Sequence, residues 1–128
     1  EQKKLPFGPA TVVAATIVYS QDYLKGIAAA FREGDAVALS VFFDKTVDLT
    51  FSDETNSYSK KQAEQILHKF FTKIEPKDFT NQRVGDSKYN NTRFCIGTLF
   101  SSRGDYKVYM FFLNRNGNYY LKELRFEK

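Results

Sequence analysis

Residues 106–126 read Tyr106-Lys-Val-Tyr-Met-Phe-Phe-Leu-Asn-Arg-Asn116-Gly117-Asn-Tyr-Tyr-Leu-Lys-Glu-Leu-Arg-Phe126. Two runs that are aromatic, β-branched or apolar, Tyr106–Leu113 and Tyr119–Phe126, flank an Asn-Gly step. Both residues of that step tolerate the positive φ that a two-residue hairpin turn demands. The stretch predicts a β-hairpin, and the rest of the chain reads as elements that extend or lean on its sheet. In the second run the spacing from Leu121 to Leu124 breaks the period of two, which predicts a β-bulge near Lys122-Glu123.

Working back from the hairpin, a turn at Arg103-Gly104 precedes it, and Thr92–Ser101 reads as a strand. Lys77–Val84 reads as another strand, followed by turns at Gly85-Asp86-Ser87 and Lys88–Asn91. Ser59 opens a helix, with Gln62 completing a capping box. The apolar face of that helix is Ala63, Ile66, Leu67, Phe70, Phe71 and Ile74, and Pro76 disfavours helical geometry at Glu75. Thr46–Phe51 alternates apolar and polar residues as a half-buried strand does, and Ser52–Ser57 reads as a polar turn. Between Asp22 and Glu33, Leu24, Ile27, Ala28 and Phe31 share one helical face. Gly34 stops this helix, and Asp35 caps a second, short one through Phe43, after which Asp44-Lys45 turns the chain.

Residues 1–20 support two readings. Lys3-Lys4 followed by the uncharged run Leu5–Ser20 has the pattern of a secretory leader, yet Val13, Ile17, Ser20 and Leu24 also continue the helical stripe from Pro9. The run is too short and too interrupted by proline and glycine to span a membrane. The domain proper is residues 21–128.

The chain has 128 residues, 42% of them hydrophobic and 27% charged, so it is long enough to bury a core without covalent staples. The net charge of +4 is spread among acidic residues rather than gathered in a basic stripe, which argues against nucleic acid as a partner. One cysteine, Cys95, and one histidine, His68, exclude an internal disulfide and a multi-histidine or cysteine-based metal cage. No cofactor motif is present. The order helix, helix, strand, helix, then an antiparallel meander places the chain in the α+β class, with helices gathered on one face of a curved sheet.

The run Ile27-Ala-Ala-Ala-Phe31-Arg-Glu-Gly34-Asp35-Ala-Val-Ala-Leu39-Ser-Val-Phe42-Phe43 and the strand Val47–Phe51 resemble the opening of nuclear transport factor 2-like domains. The helix Ser59–Ile74 and the terminal strands continue the resemblance. Tyr58-Ser-Lys-Lys-Gln-Ala-Glu-Gln-Ile66, Phe70-Phe71, Ile96-Gly97, Asn116-Gly117-Asn-Tyr119, Leu121 and Leu124-Arg-Phe-Glu127 narrow it to a small exported bacterial family of unknown function. The resemblance implies a cone of three helices on the concave face of a strongly curved, mostly antiparallel sheet. It also implies a leader before the first helix, and hence a periplasmic or secreted protein. It does not imply a reaction, because this fold hosts isomerases, dehydratases, adaptors and ligand binders alike.

Enzymatic members of this kind place a carboxylate inside the cone. Here no Asp or Glu falls on a predicted inward face: Asp48 lies on the polar side of its strand, Asp44, Asp53 and Asp105 read as turn residues, and Asp22 faces solvent. His68 lies well round its helix from the apolar centre, and Cys95 reads as a buried structural thiol. No catalytic residue is therefore assigned. The leading reading is a non-enzymatic module for a small apolar ligand or a partner, with Tyr23, Phe31, Phe70, Met110 and Tyr119 lining the cone. The alternative is an isomerase- or dehydratase-type enzyme using Tyr23 or Tyr109 with Asp48 or Glu123.

Two strands are apolar on both faces. Tyr106, Val108, Met110 and Phe112 oppose Tyr109, Phe111 and Leu113, while Phe94, Ile96 and Phe100 oppose Cys95 and Leu99. A sheet with one wet face alternates apolar with polar, so the outer face is expected to be covered, by a second subunit in a homodimer or by residues 1–20.

Overall fold

The structure is a computed structural model and describes residues 23–87 and 91–128. The two readings of residues 1–20, and the greater part of the turn expected at Lys88–Asn91, lie outside the described residues.

Helix α1 occupies residues 23–33 and buries Tyr23, Ile27, Ala30 and Phe31. The buried stripe is rotated slightly from the expected one, leaving Leu24 and Ala28 partly buried at its margin. Gly34, at φ +65°, ends the helix as expected, and the Asp35 N–H returns to the Ala30 carbonyl at 2.8 Å. Asp35 then caps helix α2, Ala36–Ser40, by accepting the Ala38 N–H at 3.0 Å. This helix stops short of Phe43. The β-prone residues that follow go into the sheet, where the Phe42 carbonyl accepts the Leu121 N–H at 2.7 Å.

Strand β1 is Phe43–Phe51, so Asp44 and Lys45 are strand residues and not the expected turn. Strand β2, Glu54–Ser59, occupies most of the stretch read as a turn. As an edge strand it is wet on both sides, carries no alternation, and is held by its ladder to β1 and by the hydroxyls of Thr50 and Thr55, 2.7 Å apart. Helix α3, Lys60–Ile74, begins with the expected capping box, Gln62 N–H to Ser59 Oγ at 3.2 Å and Ser59 N–H to Gln62 Oε1 at 3.1 Å. It ends where Glu75 turns left-handed at φ +55° before Pro76.

Strands β3 (Pro76–Ser87), β4 (Thr92–Ser101), β5 (Gly104–Arg115) and β6 (Asn118–Glu127) form an antiparallel meander. The sheet order is β2-β1-β6-β5-β4-β3, with β6 returning to pair β1 in parallel. Strand β3 runs straight through Gly85, where a turn was expected. The ladder to β4 holds it there, with Gly85 opposite Phe94, and the glycine leaves room for the Phe94 ring, which lies where a side chain would stand. The hairpin turn is as read, with Asn116 at φ +55° and Gly117 at φ +88°. So is the bulge: Phe111 pairs Glu123 and Phe112 pairs Leu121, leaving Lys122 as the extra residue. Further register shifts in β3, between Pro76 and Asp78 and between Asn81 and Arg83, add to the curl.

The three helices lie inside the curve. Phe31 stacks on Phe79 with centroids 4.7 Å apart and meets Phe71 and Phe126 edge-on at 5.9 and 6.2 Å. Phe70 packs among Phe51, Phe126 and Tyr106 at 5.0, 4.8 and 5.4 Å. Gly97 permits this density, since a Cβ there would come within 2.5 Å of the Phe79 ring and 2.6 Å of the Thr80 carbonyl.

Candidate functional site

The hairpin end of the cone differs from the ring-filled opposite end. The inward register of β4 runs Arg93, Cys95, Gly97, Leu99, so a guanidinium stands on an otherwise apolar face. The first turn of α1 brings Tyr23 against it, and Arg93 Nη1 donates to the Tyr23 hydroxyl at 2.9 Å. Strand β3 supplies Asp86, whose carboxylate accepts Arg93 Nε at 2.5 Å and Nη2 at 3.4 Å. Strand β6 supplies Tyr119: its ring stacks on Tyr23 at 5.3 Å and lies under the Arg93 guanidinium at 4.4 Å. Phe112 closes the group, edge-on to Tyr23 at 5.4 Å.

The electrostatics follow from this geometry. Burial pushes the Tyr23 hydroxyl up against the opposing pull of Arg93, so the phenol keeps its proton. The hydrogen bonds from Arg93 hold the Asp86 carboxyl below the usual range, and Asp86 in turn raises Arg93. Each polar group is thus committed to a neighbour. The cluster gathers aromatic rings, a stacked guanidinium and a phenol. Its carboxylate is tied to Arg93.

Of the five expected lining residues, Tyr23 and Tyr119 are brought into contact here, and Met110 lies two residues from Phe112 on the same inward face. Phe31 and Phe70 sit apart from them, among the rings of the opposite end. The pairings imagined for an enzyme are not assembled around Tyr23. Asp48 and Glu123 are register partners, and Glu123 is exposed outside the cone on the face that Tyr109 shares. The Asp48 carboxylate accepts the Ser57 hydroxyl. His68 is exposed, as expected. Cys95 is buried, donates to Asn81 Oδ1 at 3.1 Å, and is pushed up to about 11 by burial.

Sequence reasoning counted Arg93 among the scattered surface charges and read Asp86 as part of a turn. The signal was present, because Arg93 shares the parity of Cys95 and Leu99. It also missed Asp44, which is buried and gripped by Arg115 Nη1 and Nη2 at 2.5 and 2.9 Å across 71 residues of sequence. Among the described residues no acidic, histidine and cysteine side chains gather into a metal-holding group, and no helix is long and apolar enough to cross a membrane.

A six-stranded, strongly curved open sheet with three helices in its concavity is the nuclear transport factor 2-like, cystatin-like cone. Residues 24–127 match the family described as Domain of unknown function (DUF4783), and the chain belongs to that family. It is similar to a family member from Bacteroides ovatus, at 27% identity and TM-score 0.76, over 80% of this chain and 92% of that one. A second member, from Bacteroides uniformis, is 27% identical at TM-score 0.75, over 81% and 94% of the two chains. A domain of unknown function with a cystatin-like fold from Nostoc punctiforme shares the fold at TM-score 0.67 and 10% identity, over 88% of this chain and 76% of that one. No curated protein matches the chain.

Proposed function

We propose that this protein is a non-enzymatic interaction module that works as a homodimer, joined through the outer face of β4–β6. The observation that carries the reading is the row Phe94, Ile96, Tyr109, Phe111 and Leu113. These residues face outward in neighbouring strands, Phe94 beside Phe111 and Ile96 beside Tyr109, and are only half-buried, with Phe94 37% exposed. A contiguous apolar strip on an antiparallel sheet is costly in water and favours a covering layer. A second copy suits it: Arg125 and Lys107 alternate with Glu123 and Glu127 along the same face, so a two-fold pairing sets opposite charges against each other.

The cluster of Tyr23, Arg93 and Tyr119 supports a further role for the same module, holding a small, largely apolar ligand at the hairpin end of the cone. The leader-like composition of residues 1–20 supports export, and the amino terminus of the mature protein, read by mass spectrometry, tests it.

Size-exclusion chromatography with light scattering on the full chain at micromolar concentration tests the dimer. The expected mass is twice the 14.8 kDa of one chain, falling to a single copy in Phe111→Glu. A monomeric wild-type chain would sink the proposal.

A further inference from the structure

Away from the Tyr23 cluster, a cleft of about 380 Å³ opens between the start of β1, the start of α3 and the β5–β6 turn. Its lining includes Lys45, Lys60, Arg115, Asn116, Asn118 and Tyr120, with one carboxylate, Asp44. Three basic side chains thus face one acidic one, and the acidic one is already satisfied. Asp44 Oδ1 accepts Arg115 Nη1 at 2.5 Å and the Lys45 backbone N–H at 2.8 Å, while Oδ2 accepts Arg115 Nη2 at 2.9 Å. Lys122 adds positive potential at Asp44 from the bulge, anchored on Thr46 through Oγ1 at 2.6 Å.

Two consequences follow. Arg115 is oriented by a buried partner, yet three of its five N–H donors are left over after the pair with Asp44. Among the described residues neither Lys45 nor Lys60 has a carboxylate within ion-pair distance. Scattered surface cations usually repel and point apart, whereas these are gathered round a concavity of ligand size. The walls add neutral amides at Asn116 and Asn118, which suit hydroxyl groups, and the Tyr120 ring, which offers a flat apolar surface beside the Arg115 guanidinium at 5.7 Å.

From this convergence we infer a second binding site, one that takes a phosphate monoester of a small polyhydroxy compound, a sugar phosphate in chemical class. The lysines and Arg115 meet the phosphate, the amides meet hydroxyls, and the ring of the ligand lies on Tyr120. The site shares no residue with the outer-face strip or the Tyr23 cluster, though Tyr120 lies beside Leu113 on the outer face and follows Tyr119 in β6.

The experiment is an amide chemical-shift titration of the full ¹⁵N-labelled chain with glucose 6-phosphate, with glucose and inorganic phosphate as parallel arms. Saturable shifts at residues 45, 60 and 116–120 are expected with glucose 6-phosphate. Inorganic phosphate should bind about tenfold more weakly and glucose not measurably, and rising salt should weaken the binding that remains. The exposed pair Lys45→Ala/Lys60→Ala should lower affinity at least about tenfold with the fold retained, whereas Lys61→Ala, outside the cleft, should not. Lys45→Gln alone should lower it by a smaller factor. Shifts that do not saturate or do not map to the cleft, an equal response to glucose, or undiminished binding by the lysine variants would each overturn the proposal.

Discussion

At the scale of single residues, the most consequential contact is the one that local sequence hides. Asp44 is a short polar residue after two phenylalanines, which reads as a turn, yet its carboxylate is buried on Arg115. The hydrogen bonds from Arg115 hold its carboxyl below the usual range in spite of burial. A folded-state value below the unfolded one means that the stabilisation is fully present above the unfolded value of about 4 and is lost as pH falls through the folded value. Asp44→Asn is therefore expected to lower stability at neutral pH by about 1–3 kcal/mol, and to flatten the acid limb of a stability–pH curve below about pH 4. Urea melts of both chains at pH 3 to 7 measure it; a limb of unchanged steepness would exclude the pair as a contributor.

Cys95 makes the opposite case, a residue whose type and parity told its role. Burial pushes its thiol up to about 11, so little thiolate exists near neutrality. With a thiol-specific disulfide reagent at pH 8, the native chain is expected to react more than about a hundredfold slower than the urea-unfolded one. Comparable rates would place the sulfur at the surface.

At the scale of elements, the bulge in β6 separates pattern from shape. Leu121 and Leu124 both face inward because Lys122 is the extra residue between them. Deleting Lys122 leaves those leucines two positions apart, as a regular strand prefers, but removes the local curl and the Lys122–Thr46 hydrogen bonds. The deletion is expected to keep the far-ultraviolet circular dichroism of the parent and to lose about 1–3 kcal/mol in denaturant melts. An unchanged midpoint would show that curvature at this point adds nothing to stability. The same scale explains which boundaries were legible. Caps and stops at Asp35, Ser59, Gly34 and Pro76 act within a turn of the chain, and all were readable. Strand β2 and the continuation of β3 past Gly85 were not, because their neighbours in the sheet hold them there.

At the scale of the molecule, the outer face links stability to concentration. If two copies bury the strip of Phe94, Tyr109 and Phe111, only the folded state gains, and the melting temperature rises with protein concentration. A rise of a few degrees over a hundredfold dilution series is expected for the wild type, and none for Phe111→Glu. A melting temperature independent of concentration in both would count against the dimer.

What the amino-acid order determined alone was whatever acts over short range. The Asn116-Gly117 hairpin, the capping box of α3, the bulge at Lys122, the burial of Cys95 and the two-faced apolar strands rest on φ preferences and on periods of 2 and 3.6. What only the tertiary structure decided were the meetings across long separations: Arg93 with Tyr23 across 70 residues, Arg115 with Asp44 across 71, and β6 beside β1. The physical reason is that a charged side chain carries the same local signal whether it faces water or a buried partner. Only the closing of the sheet, which sets one register against another, distinguishes the two.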